Sequence, residues 1–297
     1  MGTAILFAFD EGYLQPGLVA VSTALRHSPS VVPVFVASMA LSDESEGRLR
    51  ALDPKRVHLM DVTRQVNELG SQLPPHRHHP PIVWARVLVN DIVPETFSRV
   101  IYLDADTLTR KTLSDLLQAD LHGQMFGACV DHVTKTHGQR GDTFVEIVQS
   151  PPSAAYFNSG VMVIDLEKWR EAKPETRVFE IGARHHFKYS DQDALNLALW
   201  KNWYPLSHFR WNFLSMEHHG AAHAAIVHFV GSKPWNTGVS VQLFQREYEE
   251  AAGEVGWHLR LPWSRRLKRR VRWIVPTGYT DRRYNRLEHI YSWSLDE

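Results

Sequence analysis

Two aspartates one residue apart, Asp104 and Asp106, follow the apolar run Val100–Leu103 in RVIYLDADTLT, residues 99–109. On an extended chain, side chains two apart share a face, so both carboxylates can close on one cation or one phosphate. Paired hard oxygen ligands suit Mg2+ or Mn2+, and the plain alternative is an acidic strand end that caps the next helix. A second group lies late in the chain, in VHFVGSKPW. His228 stands at the polar end of an apolar run, Gly231 lets backbone approach an anion, and Lys233 offers a compact point charge. A histidine on an apolar strand is more often a packed core residue, but its grouping with Gly231 and Lys233 points to a ligand. His76, His78 and His79, in PPHRHHPP, lack an ordered ligand spacing and are not read as a metal site.

Such residues need elements to position them. AILFAFDEGY reads as a buried strand ending in polar residues, and QPGLVAVSTALRHS has the helical spacing of Leu18, Val21, Ala24 and Leu25. VVPVFVAS is a second strand, SDESEGRLRAL a helix capped by Ser42, and RVHLMDV a third strand. This βαβαβ order is that of a parallel sheet with helical crossovers, an α/β fold. IVWARVLVNDIVPE reads as a helix stopping near Pro94, just before the strand that leads to Asp104. MFGACVDHV and GVMVIDL read as strands, SDQDALNLALW as a helix capped by Ser190, and AAIVHFVGS as a late strand. In open sheets ligands gather at the carboxyl ends of strands, where Asp10, Asp61, Asp104 and Asp106 all fall.

The chain has 297 residues, 43% hydrophobic and 22% charged, enough to bury a substantial core. Its single cysteine, Cys129, excludes an internal disulfide and fits a reducing compartment, so a cytoplasmic location is expected. The start, MGTAILFAFDEGY, lacks a basic region and reads as a strand and not a signal peptide, and no run reaches transmembrane length. Lysine plus arginine equals aspartate plus glutamate at 33 each, which argues against a nucleic-acid partner. Seven basic residues between Arg260 and Val275 meet no acidic one, so the remainder carries seven excess negative charges. Two units are expected, a domain over residues 1–245 and a basic, aromatic extension over 246–297.

Four separately placed segments carry a family resemblance: FAFDEGY, AYFNSGVMVIDLEKWR, SDQDALNLAL and VHFVGSKPW. With DADTL they resemble the glycosyltransferase family 8 pattern in order and spacing over residues 3–240. The similarity is close to the bacterial lipopolysaccharide galactosyl- and glucosyltransferases and more distant from glycogenin. It implies a GT-A fold, a Rossmann-like mixed sheet flanked by helices. It also implies retaining transfer of glucose or galactose from a UDP-sugar to an acceptor hydroxyl of a lipopolysaccharide or other cell-surface glycan or glycolipid.

By the same resemblance Mn2+, or Mg2+ in its place, is held by Asp104, Asp106 and His228. Ala8, Asp10 and Tyr13 meet the uracil, with Gly12 where close relatives carry Asn. Arg86 and Ala105 reach the donor, Asp131, Asn158, Asp191 and Gln192 its hexose, and Gly231 and Lys233 its diphosphate. Gln192 and Asp191 take the catalytic positions, and His78 lies on the acceptor side. Gln192 is a poor nucleophile and Asp191 would have to move to serve, so attack from the leaving-group face is expected, with a UDP phosphate oxygen taking the acceptor proton. The basic extension, in which Trp263, Leu267 and Trp273 interleave with the cations, is expected to dock on an anionic membrane face. Two other readings stand beside this one. DADTL also satisfies the DxDxT pattern of haloacid-dehalogenase-like phosphatases, with GDTFVE as a weak later acidic pair. A catalytically inactive sugar-nucleotide-binding relative would keep the fold.

Overall fold

A computed structural model describes residues 2–259 except 77–79, 218–219 and 237. Its strands are β1 (Gly2–Asp10), β2 (Val34–Met39), β3 (Val57–Asp61), β4 (Phe97–Leu103), β5 (Thr107–Thr109), β6 (Phe126–Val130), β7 (Phe157–Asp165), β8 (Trp203–Leu206), β9 (Phe213–Leu214) and β10 (Ile226–His228). Seven of them form a central sheet in the order β3-β2-β1-β4-β7-β6-β8. The first four in that order run parallel, and β7 is antiparallel to both of its neighbours. The sheet is therefore mixed, as the resemblance implies. The strand order reverses between β1 and β4, and a crevice opens beyond their carboxyl ends.

Alternation along β1 sorts its side chains between two buried layers. Ile5, Phe7 and Phe9 pack with Leu18, Val21 and Ala24 of the helix Leu14–His27. Ala4 and Leu6 face the other way, into a layer with Trp84, Trp169, Ala194 and Leu195. Ser42 accepts a hydrogen bond from Ser45 N and starts the helix Asp43–Leu52, as its residue type predicts. Cys129 is fully buried, and burial pushes its thiol pKa up, so it serves as packing.

Several elements differ from their sequence reading. IVWARVLVNDIVPE is not one helix: a 3-10 helix, Pro81–Val87, is followed by the single turn Val89–Ile92. Its β-branched residues disfavour a long helix, and packing against β1 decides the shape. The helix Ser190–Leu199 starts at Ser190 itself, and its cap is supplied from within, where Asp193 accepts from Tyr189 N at 3.0 Å.

A small second sheet, β5-β10-β9, lies beside the first. The helix Gln242–Glu254 crosses the boundary expected at residue 245, and it buries Phe244, Tyr248, Ala251 and Ala252 with Phe213 and Phe229. Trp257 and Leu259 pack on the same cluster, so the body continues to the last described residue. The basic segment 260–297 and its membrane reading lie outside the described residues. Among the described residues no helix is long and apolar enough to cross a membrane.

Candidate active site

The chain does not stay extended through DAD. It turns there, leaving β4 and entering β5 of the second sheet, with Thr107 N and Thr107 Oγ1 both donating to Asp104 O at 3.2 and 2.7 Å. The two carboxylates converge through this turn and not through strand alternation. Each has one oxygen held from behind. Asp104 Oδ1 accepts from Tyr102 OH at 2.8 Å and pairs with Arg86 Nη2 at 2.9 Å. Asp106 Oδ2 pairs with Lys233 Nζ, which also donates to Phe229 O. Burial alone would raise the Asp106 pKa, but Lys233 and His228 hold it far below the usual carboxylate range.

The remaining oxygens face His228. Its Nε2 lies 3.1 Å from Asp106 Oδ1 and 3.6 Å from Asp104 Oδ2. Which ring nitrogen carries the proton follows from a chain of amides. Asp131 Oδ2 accepts from Asn158 Nδ2 at 3.0 Å, so Asn158 Oδ1 is left to accept from Gly160 N and from Asn212 Nδ2. Asn212 thereby presents its Oδ1 to His228 Nδ1 at 3.0 Å, and the imidazole must donate there. Nε2 then faces the two carboxylates, where it shares a proton with them or, with a cation present, would give that cation its lone pair. Three acceptor atoms converging in this way need a proton or a cation among them. Two carboxylate oxygens and one oriented imidazole are a suitable donor set for a divalent ion, so the residues fit the metal that the family implies. Gly160 keeps the space clear, since a Cβ there would stand 2.3 Å from His228 Cε1 and 2.7 Å from Asp104 Oδ2.

A register shift in the β6–β7 ladder, between Ala128 and Cys129, places Asn158, Ser159 and Gly160 at an irregularity, a common device for aiming side chains at a site. Asn196 clamps the helix Ser190–Leu199 to Phe157, accepting from its N and donating to its O, both at 2.8 Å. This brings Asp191 and Gln192 beside β7. Gln192 Oε1 accepts from Ser159 N at 3.0 Å, and its Nε2 donates to Tyr156 OH at 3.2 Å. Arg86 is buried and not a solvated surface arginine. Its Nε pairs with Asp191 Oδ2 at 2.9 Å and its Nη1 donates to Ser159 O and Oγ, while the guanidinium lies over the Tyr102 ring. The Asp104 and Asp191 charges outweigh the cost of burial and raise its pKa further.

One cleft of about 790 Å³ gathers these groups. Ala8, Asp10, Tyr13, Arg86, Asp104, Ala105, Asp106, Asp131, Asn158, Asp191, Gln192, His228, Gly231 and Lys233 all line it. In the sheet order β1-β4-β7-β6, Asp10 ends β1, Asp104 follows β4, Asn158 lies on β7 and Asp131 follows β6. Gly231 has φ 78°, a left-handed conformation that favours glycine. Tyr13 meets Trp235 edge to face, ring centroids 6.2 Å apart, and burial raises its pKa. Asp61 does not join the site, because its carboxylate accepts from Thr63 N and Oγ1 at the start of the following helix. Asp142 and Glu146, the weak phosphatase pair, do not line the cleft. His78 lies outside the described residues. Sequence reasoning missed Ser159, Gly160 and Asn212. The first two lie within AYFNSG, whereas Asn212 has no motif around it.

The mixed sheet with its switch-point crevice is the fold of the GT-A glycosyltransferases. Solved members align with this fold. LgtC, in an active-site variant, aligns with a TM-score of 0.70 at 23% identity, covering 84% of this chain and 95% of that one. The bifunctional glycosyltransferase WbbM aligns at 0.70 and 18% identity, covering 91% and 51%. The chain belongs to glycosyl transferase family 8, whose model matches residues 4–238. Curated relatives include a probable galacturonosyltransferase-like 6 of Arabidopsis thaliana, 28% identical over 232 residues, covering 70% of this chain. General stress protein A of Bacillus subtilis is 29% identical over 195 residues, covering 58%. The matches span 64% and 65% of those relatives' own lengths.

Proposed function

We propose that this chain is a retaining hexosyltransferase that moves glucose or galactose from a UDP-sugar to an acceptor hydroxyl on a cell-surface glycan or glycolipid. Mn2+, with Mg2+ as a substitute, is its metal. The observation that carries the reading is the convergence of Asp104 Oδ2, Asp106 Oδ1 and His228 Nε2 on one cleft, which the residues expected at the base and at the hexose also line. Neither the phosphatase pair nor a site stripped of its ligands fits that arrangement.

When bound, the cation supplies Lewis-acid neutralisation of the donor diphosphate. Lys233 is paired with Asp106 in this structure, and a diphosphate competing for it gives the leaving group a second positive partner. Asp10 and Tyr13 orient the base. Asp191 is tied to Arg86, and Gln192 is a neutral amide held by Ser159 and Tyr156, so neither is an available nucleophile. This supports attack on the leaving-group face, the acceptor proton passing to a phosphate oxygen of the departing UDP.

The relatives named for galacturonosyl transfer put UDP-galacturonate among the donors to be tested. Charge argues against it here. Asp131 and Asp191 line the hexose end, and among the described residues the lysine and arginine of the cleft, Lys233 and Arg86, are both paired with aspartates. A neutral hexose avoids repulsion that a uronate carboxylate would meet.

A screen of UDP-sugars for Mn2+-dependent transfer or UDP release tests donor and reaction together. Expected is activity with UDP-glucose or UDP-galactose above UDP-galacturonate, and a product whose anomeric coupling matches the donor. An inverted linkage, or release of phosphate from simple phosphoesters in place of UDP, overturns the assignment. The reading includes a cytoplasmic enzyme peripheral on the plasma membrane through residues 260–297, for which liposome co-sedimentation of full-length and 1–259 protein is the test. Binding that needs anionic lipid, falls with salt and vanishes on truncation supports docking, and equal sedimentation refutes it.

A further inference from the structure

Outside the cleft a second ligand cluster is present. His132, His208 and Glu217 each offer an atom within 4.8 Å of the other two. They come from three separate segments: His132 directly follows Asp131 after β6, His208 opens the short helix His208–Trp211, and Glu217 lies beyond β9 in a turn closed by Glu217 N donating to Leu214 O. His132 Nδ1 is 3.1 Å from Glu217 Oε1, yet that buried oxygen accepts no hydrogen bond. The separation is right and the alignment is wrong for a hydrogen bond. A simple histidine–carboxylate pair explains neither this geometry nor the His208 ring, whose centroid lies 5.7 Å from that of His132.

Two imidazoles and one carboxylate are instead a donor set that Zn2+ favours, with a fourth position left open. Ligand atoms 2.0–2.1 Å from a tetrahedral ion stand about 3.3 Å apart, close to the spacing already present between His132 and Glu217. A His208 ring nitrogen already lies within 4.8 Å of both other ligand atoms. The His132 side chain is 40% exposed, which gives the ion an entry path.

We propose that His132, His208 and Glu217 bind one borderline divalent cation of the Zn2+ class, at a site separate from the hard-ion site of Asp104, Asp106 and His228. The cation ties the loop that carries Asp131 to the segment that carries Asn212. Those two residues are the outer and inner members of the amide chain that orients His228, so the second ion stiffens the support of the first site.

The test is a Co2+ titration of the full chain in excess Mg2+, read by visible absorption. One equivalent giving the intense d–d bands of a four-coordinate site is expected in the wild type and in Asp104→Asn. In His208→Gln and Glu217→Gln the affinity should fall by at least about 10–100-fold, since losing a ligand costs no less than losing its support. Zn2+ should raise the unfolding temperature of the first two proteins and leave the last two unchanged. His132→Gln replaces either variant if circular dichroism shows it unfolded. Absence of the bands in the wild type, their loss in Asp104→Asn, or unchanged affinity in the ligand variants overturns the proposal.

Discussion

Replacing Arg86 with methionine should both destabilise the protein and loosen its metal site. The guanidinium pairs at 2.9 Å with Asp104 and at 2.9 Å with Asp191, and its own side chain is 7% exposed. Without it two carboxylates of like charge share a desolvated wall, and Ser159 loses its bonds to Nη1. Removing one member of a buried ion pair costs about 3–5 kcal/mol, a large share of the roughly 5–15 kcal/mol that holds a domain folded. Tyr102 still donates to Asp104 Oδ1, so the fold should survive at neutral pH with its urea midpoint lowered. Because an uncompensated charge causes the loss, Asp191→Asn in the Arg86→Met background should restore about 1–3 kcal/mol, and Mn2+ should stabilise the variant. Urea unfolding by tryptophan fluorescence, with and without Mn2+, gives these differences, and Mn2+ affinity should drop about 10–100-fold because Asp104 has lost its anchor. A loss under about 1 kcal/mol together with wild-type Mn2+ affinity would refute the view that Arg86 positions both aspartates.

Gly160→Ala should leave the far-UV spectrum intact and weaken Mn2+ binding, because the new Cβ pushes against His228 and Asp104; unchanged affinity would show that the ring yields freely. Asn212→Leu removes the partner of His228 Nδ1, so Mn2+ affinity should fall about 10–100-fold, with Asn212→Asp, which keeps the acceptor oxygen, recovering part of it in calorimetric titration. Gln192→Ala should lower kcat more than it raises KM for the donor, and Asp10→Ala should do the reverse; a rise in KM alone for both would merge the two ends of the cleft. His137 is fully buried, and burial lowers its pKa from 6.5 to about 4. The unfolded chain therefore takes up this proton first, and stability that is complete above pH 6.5 is lost as pH falls towards 4, by about 3 kcal/mol at most. His137→Gln should flatten that part of the stability–pH profile, and an unchanged slope would assign the acid sensitivity to other groups.

The donor set was legible before any fold was known. DADTL offered Asp104 and Asp106 as a pair and VHFVGSKPW offered His228, Gly231 and Lys233 as a group, while the family resemblance, not spacing, joined the two and added Asn158, Asp191 and Gln192. The buried strand β1 and the Ser42 cap were equally local, because an apolar run and a capping residue act over a few residues. What tertiary structure decided is how those groups are held. The aspartates meet through a turn between two sheets, and Arg86 serves two carboxylates that lie 87 positions apart in the chain. Asn212 sets the tautomer of His228 through an oriented amide, and the Gly160 requirement exists only because a ring from β10 passes over it. The helix Gln242–Glu254 belongs to the body because its apolar face meets Phe213 and Phe229, not because of any signal at residue 245. A motif records which atoms a reaction needs. The hydrogen-bond direction of an amide, the clearance beside a glycine and the partner of a buried charge depend on neighbours brought in by folding, and no short stretch of sequence contains them.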